Sequence, residues 1–354
     1  MHQGTDKLKQ LVAESDQGHV NVSIEDLVSL KLNRFKGWQC QAGVQNLYID
    51  FDGKVWISNC ASTPNGNRLP ISGTRRWGYL GTIEETYGFP STGVSCPMVS
   101  CGCGSDIVIT KWSKGTEPSY SNIQFVPFEN INSISSVRTN YDLPKQVLWD
   151  ISRRCNYDCS YCWPEVHNTT DEHKPLAVLK TAADNIIDNW ASGGEVRWYF
   201  GGGEPTLNPD FEPFIEHLSN RGQWVMLVTN ASQGPAYWAK NADHYNTLIF
   251  SAHFEFMKPE LFAKNHQRVV EVMLNGAGKL NDFIVKLMTK PGQVQHSIDF
   301  VNKLKQQVNF DQLSQDVKGR IRFDMVPLRG LQNAGQILEY SQEELDSIVN
   351  FNSL

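Results

Sequence analysis

A chain of 354 residues that is 40% hydrophobic and 20% charged is long enough to bury two cores. Its 32 Lys and Arg stand against 38 Asp and Glu, and the net charge of -6 argues against a nucleic-acid binder that works through bulk charge. The start, MHQGTDKLKQLVAESDQG, has no apolar signal core, and no run of 18 apolar residues follows. Neither a secretory signal nor a membrane span is read, and the cytoplasm, where thiols stay reduced, is the expected compartment.

Residues 1–140 read as a small, loop-rich unit. NLYIDFDGKVWIS (46–58) alternates around Asp52-Gly53, which signals a hairpin with a type I′ turn. Gly, Ser, Asn and Pro-rich stretches surround it, and apolar periodicity is too sparse for a large core. Cys40, Cys60, Cys96, Cys101 and Cys103 in this stretch suggest a metal staple.

Residues 141–354 alternate instead between strand and helix. QVLWDI (146–151), EVRWYF (195–200), QWVMLV (223–228), TLIFS (247–251), FIVKLM (283–288) and RIRFDMV (320–326) read as six strands. PLAVLKTAADNIIDNWA (175–191) places Leu179, Ala183, Ile186 and Trp190 on one helical face. PDFEPFIEHLSN does the same with Phe211, Phe214, Ile215 and Leu218, and Ile298, Val301 and Leu304 mark a further helix. Ser341 and Glu344 form a capping-box pair that opens a last helix. Six strand–helix repeats predict an α/β fold, a partial (β/α)6 barrel of the TIM type with a wide mouth, and chemistry at the C-terminal ends of its strands. A cysteine triplet, GGGEPT, TNAS and SAH follow the first four strands and converge on that rim.

The triplet lies in RRCNYDCSYCWP (153–164), where Cys155, Cys159 and Cys162 supply three thiols. Sites built only from cysteine usually take four ligands, so the spacing leaves one position open. A zinc knuckle completed by His167 is the alternative reading of the triplet alone.

CNYDCSYC resembles the Cys-x3-Cys-x2-Cys signature of the radical S-adenosylmethionine (radical SAM) superfamily, with Tyr161 as the aromatic residue before the last cysteine. The resemblance implies a 4Fe–4S cluster on Cys155, Cys159 and Cys162. Its open iron would chelate SAM, whose reductive cleavage gives a 5′-deoxyadenosyl radical that abstracts hydrogen from a substrate. GGGEPTL (201–207) resembles the superfamily's GGE motif in Gly202, Gly203 and Glu204, and implies a carboxylate against the methionine ammonium group. Asn230 and Ser251 stand where the superfamily places polar contacts to the ribose or methionine carboxylate; each also reads as a strand-end cap. His253 either faces a substrate or caps a loop.

CQAGVQNLYIDFDGKVWISNC (40–60) resembles the first half of a SPASM or twitch domain, and GYLGTIEE (78–85) resembles the segment that follows there. With CPMVSCGC (96–103) this implies an auxiliary 4Fe–4S cluster drawn from the five N-terminal thiols, with structural zinc as the alternative. The spacing departs from the full SPASM pattern, which speaks against a second auxiliary cluster. The whole resemblance implies an enzyme reduced by a partner such as flavodoxin or ferredoxin, acting on a ribosomally made peptide. Radical modification of a sugar or nucleotide, and a non-catalytic iron–sulfur electron carrier, stay open.

Overall fold

The computed structural model describes residues 11–353 apart from 16, 63–77, 86, 102–103, 114, 116–124, 127–132, 140–143, 163–167, 277 and 329–337. The chain divides into two compact units. The first comprises Met1–Leu148 with Asn185–Val196, the second Trp149–Asp184 with Arg197–Leu354.

Unit 1 is mostly sheet. Its strands are β1 (Leu11–Ser15), β2 (Gly18–Val22), β3 (Gln39–Cys40), β4 (Asn46–Ile49), β5 (Lys54–Trp56), β6 (Tyr79–Thr82), β7 (Val94–Ser95), β8 (Lys111–Trp112) and β9 (Ile134–Thr139). Three short helices, α1 (Ile24–Ser29), α2 (Asn59–Ser62) and α3 (Gly104–Ile107), lie between them. One sheet has the order β2-β1-β9-β8-β3-β7 and is antiparallel at every pairing. β4, β5 and β6 form an antiparallel meander. Leu11, Ala13, Val20, Val22, Leu27 and Phe35 are buried in one core with Cys40, Cys96 and Cys101.

The 46–58 hairpin forms, but its turn differs from the expected type I′. The loop has three residues, Phe51-Asp52-Gly53, and among them only Gly53 takes a positive φ, of 79°. The reason lies in Asp50. Its Oδ1 accepts the amides of Asp52 and Lys54 at 3.0 and 2.9 Å, which bends the chain one residue earlier.

The strand β10 (Lys145–Asp150) carries the chain from unit 1 into unit 2. Unit 2 is mixed α/β. Its strands β11 (Val196–Gly201), β12 (Trp224–Thr229), β13 (Thr247–Ala252), β14 (Asp282–Thr289) and β15 (Ile321–Pro327) pair in that order and are parallel throughout. The connections hold α4 (Leu176–Asn185), α5 (Phe211–Asn220), α6 (Pro235–Asn241), α7 (Pro259–Leu274), α8 (Val294–Gln307) and α9 (Gln315–Arg320), and α10 (Gln342–Asn352) closes the chain. The expected stripes are buried. Leu179 and Ala183 are covered on α4, and Ile186 and Trp190 on the π-helical turn that continues it. On α5, Phe211, Phe214, Ile215 and Leu218 are covered. Phe214 meets Trp149 edge-on at 5.5 Å and Phe211 meets Phe200 at 5.5 Å, which seats α5 on the strands. Ser341 and Glu344 form the expected capping box on α10. Among the described residues no helix is long and apolar enough to cross a membrane.

One core residue of unit 2 works against stability. His266 of α7 is fully buried between the rings of Phe283 and Phe323, at 5.3 and 5.8 Å, and neither ring nitrogen has a hydrogen-bond partner. Burial pulls its pKa down to about 3. An unfolded chain carries an ordinary histidine near 6.5, so between these values the unfolded state binds the extra proton. Stability therefore falls as pH drops below 6.5, by about 1.4 kcal/mol per unit. His266→Leu should raise stability at pH 7 by about 1–3 kcal/mol and flatten this acid slope. Urea melts at pH 7 and pH 5 check both; parallel losses in the two proteins would show that His266 is not responsible.

Candidate active site

Parallel strands leave their C-terminal ends on one edge, and the chain places its polar motifs there. The cysteine run leaves β10 and is pinned at once. Ser152 Oγ accepts the Arg154 amide at 3.0 Å, the Cys155 amide donates to Asn168 O at 2.8 Å, and the Asn168 amide donates to Arg153 O at 2.8 Å. Cys162 donates its amide to Cys159 O at 2.9 Å, which closes a turn between the last two cysteines. Cys155, Cys159 and Cys162 all line one cavity of about 430 Å³, a size suited to a small ligand. Burial, before any neighbouring charge, raises the Cys155 thiol and pushes Cys159 up to about 12. Both are thiols at neutral pH, and binding iron would release their protons.

Gly201, Gly202 and Gly203 line the same cavity. Gly202 sits at φ 116°, a conformation that side chains resist. Gly203 has a different constraint. A Cβ there would lie 2.5 Å from the carbonyl oxygens of both Arg153 and Arg154. The close approach lets the Gly203 amide donate to Ser152 O and the Glu204 amide to Arg154 O, each at 2.8 Å. Gly203 thus admits the backbone of the cysteine loop. Gly203→Ala should destabilise the protein by about 1–3 kcal/mol, because two backbone carbonyls would have to move. A thermal melt equal to wild type would refute that packing argument.

Glu204 does not line the cavity. It is fully buried, and its carboxylate is consumed by four donors. Oε1 accepts from the Thr206 amide at 3.1 Å, Thr206 Oγ1 at 2.6 Å and Thr229 Oγ1 at 2.8 Å, while Oε2 accepts from the Asn230 amide at 2.6 Å. Burial raises its pKa, and these bonds oppose the shift. Asn230 does line the cavity. Its Nδ2 donates to Asn156 Oδ1 at 2.9 Å and approaches Cys155 Sγ at 3.9 Å. Ser251, near the end of β13, also faces the cavity.

Tyr161 and His253 form one wall. Tyr161 Oη and His253 Nδ1 share a hydrogen bond of 2.9 Å, and the rings stack at 5.9 Å. Burial holds His253 at about 4, so it is neutral at physiological pH. Glu255 ties the neighbouring loop down: it accepts from the Ser160 amide at 2.8 Å and Ser160 Oγ at 2.6 Å, and pairs with Lys290. Tyr157 also lines the cavity and stacks on Phe256 at 5.9 Å. Asn156, Tyr157, Ser160, Glu255 and Lys290 were not singled out by sequence. Asn156, Tyr157 and Ser160 lie within the cysteine run, the one signal that could have drawn attention to them.

Residues 149–309 match the profile of the radical SAM superfamily. This segment belongs to that superfamily. Curated relatives of the radical SAM segment include an S-adenosylmethionine-dependent nucleotide dehydratase of Selenomonas ruminantium, 31% identical over 120 residues, 34% of this chain and 35% of the relative. A PqqA peptide cyclase of Bradyrhizobium diazoefficiens is 30% identical over 103 residues, 27% of this chain and 24% of the relative. The chain therefore matches about a third or less of the length of these relatives. Among solved structures, SuiB of Streptococcus suis bound to S-adenosylmethionine aligns with a TM-score of 0.42 and 17% identity, over 59% of this chain and 46% of that one.

Outside the radical SAM segment, unit 1 gathers Cys40, Cys60, Cys96 and Cys101. Cys40 lies on β3, and Cys96 directly follows β7, which pairs with β3. Asn33 holds Cys101 through two bonds, Nδ2 to Cys101 O at 2.9 Å and Cys101 N to Asn33 O at 2.8 Å. The Cys60 amide donates to Asp106 Oδ2 at 2.7 Å, and Ser58 Oγ lies 3.0 Å from Cys60 Sγ. Burial is the first cause of the raised pKa of Cys60, Cys96 and Cys101, about 12 for Cys101, and proximity of the other thiols and of Asp106 adds to it. Cys103 and His167 lie outside the described residues. Among the described residues no three His, Cys, Asp or Glu side chains close around a point as a single metal ion requires. Thiol donors of this kind suit zinc and iron–sulfur centres alike.

Proposed function

We propose that this protein is a radical SAM enzyme, built on a partial (β/α)6 barrel in residues 141–354, with an auxiliary iron–sulfur centre in residues 1–140. The observation that carries the reading is the convergence of Cys155, Cys159 and Cys162 with Gly202, Asn230, Ser251 and His253 on one cavity. When bound, a 4Fe–4S cluster and SAM supply the radical that removes a hydrogen atom from the substrate. The chain's residues do the rest. Three cysteines hold iron, and Gly202 lets a ligand come close to the backbone. Asn230 and Ser251 offer polar contacts to SAM, and Tyr161 with neutral His253 walls the site without adding charge.

The substrate is assigned as a peptide. The PqqA peptide cyclases among the relatives support this. A nucleotide substrate is the second reading, favoured by the nucleotide dehydratase and a GTP 3′,8-cyclase of Psychromonas ingrahamii, 28% identical over 130 residues. The enzyme is placed in the cytoplasm, with a flavodoxin or ferredoxin as reductant. Anaerobic protein reconstituted with iron and sulfide, then given dithionite and SAM, should release 5′-deoxyadenosine. Peptides should stimulate that release and nucleotides should not. No 5′-deoxyadenosine from fully iron-loaded protein would overturn the assignment.

A further inference from the structure

Lys111 is buried in the core of unit 1, at 1% exposure. Its ammonium donates to the carbonyl of Asp106, to Ile109 O at 2.9 Å and to Ile107 O at 3.5 Å, and lies 5.5 Å from the centre of the Phe35 ring. None of these groups carries a full charge. Asp106 is nearby, but its carboxylate is turned to other donors: Oδ2 to the Cys60 amide, Oδ1 to Asn46 Nδ2 at 3.2 Å. Lys111 meets Asp106 through the backbone carbonyl, not through a side-chain ion pair. Asp106 is still a charge close enough to favour the ammonium, but a buried cation whose one nearby carboxylate is bonded to other groups is only partly compensated.

Sulfur stands beside Asp106 as the second source of negative charge around the ammonium. Cys40 and Lys111 are directly opposite each other on the antiparallel strands β3 and β8, so their side chains share a face of the sheet. Cys96 and Cys101 belong to the same buried core as Cys40, and Cys60 is tied to Asp106. We infer that Lys111 is the counter-cation of an anionic iron–sulfur centre held by the thiolates of Cys40, Cys60, Cys96 and Cys101, and that it sets the reduction potential of that centre. The inference rests on the auxiliary centre proposed above. An electron added to the centre increases its negative charge, so a fixed ammonium beside it favours the reduced form and raises the potential.

The test uses the full chain with Cys155, Cys159 and Cys162 replaced by Ala, so that only unit 1 can hold iron and sulfide. Potentials are read by EPR-monitored titration for Lys111, Lys111→Arg and Lys111→Met. Met should move the midpoint to more negative values, and Arg should stay near the Lys111 protein. A centre that forms with the same potential in all three overturns the role of Lys111. Absence of any iron–sulfur signal while Lys111 is intact overturns the auxiliary centre itself, a separate failure. Thermal melts supply a second readout. Lys111→Met should lower the melting temperature of the iron-loaded protein by more than that of the iron-free protein, where it costs only the carbonyl bonds and the pull of Asp106. If Lys111→Met fails to fold in both forms, the ammonium is a structural cap on the turn after α3 and the inference falls.

Discussion

Glu204→Ala should lower the melting temperature by about 10 °C, before any question of cofactor affinity arises. The substitution orphans two buried amides, those of Thr206 and Asn230, and leaves the hydroxyls of Thr206 and Thr229 without their acceptor. Each orphaned buried donor costs about 1–3 kcal/mol, which gives about 4 kcal/mol for the amides. For a unit of this size one kcal/mol moves the midpoint by about 2–4 °C. Glu204→Gln should cost less, because its amide oxygen can still serve the three donors at Oε1. Its NH2 would then face the Asn230 amide, donor against donor. The variants separate two roles. If Glu204 works by positioning Asn230, affinity for SAM should track stability across Ala and Gln. If it binds the ammonium group directly, Gln should lose affinity at nearly unchanged stability. Calorimetric melts beside SAM binding on iron-loaded protein decide between them.

Replacing Cys155, Cys159 and Cys162 together with Ala should remove about four irons per chain, the content of one cubane site. SAM cleavage should cease. The fold of unit 2 should survive, because these side chains sit at a loop rim, and only Cys159 of the three is buried. The 4Fe–4S absorption and EPR signal of unit 1 should remain. Iron content equal to wild type in the triple variant would remove the three cysteines from the site.

The radical SAM half was legible because its signals are local. Strand periodicity placed all six strands to within about two residues, and the cysteine run and glycine motif fell at strand ends as expected. Glu204 shows the limit of that approach. Sequence tells which residues reach the rim but not which way a side chain turns once there. Here Thr206 and Thr229, hydroxyls 23 residues and one strand apart, draw the carboxylate inward. Unit 1 was harder. Its β3, β7 and β8 are two residues long, too short for any alternation, and β1 pairs with β9 across more than a hundred residues. Lys111 gave no sign of burial, since a lysine in a two-residue strand reads as surface.

The loop that carries the three cysteines is stitched to its surroundings from several sides. Asn156 is tied to Asn230 after β12, Tyr161 to His253, and Ser160 to Glu255, which pairs with Lys290. The apolar part of the cavity lining, Met288, Val326, Pro327 and Leu328, has no side-chain hydrogen bond to that loop among the described residues. One side of the cavity is committed and the other is available for change. Under the proposed function, substrate preference would be rewritten in the apolar wall by exchanging side-chain shapes, while the cysteine loop keeps its register. A search for altered specificity should start at those four positions.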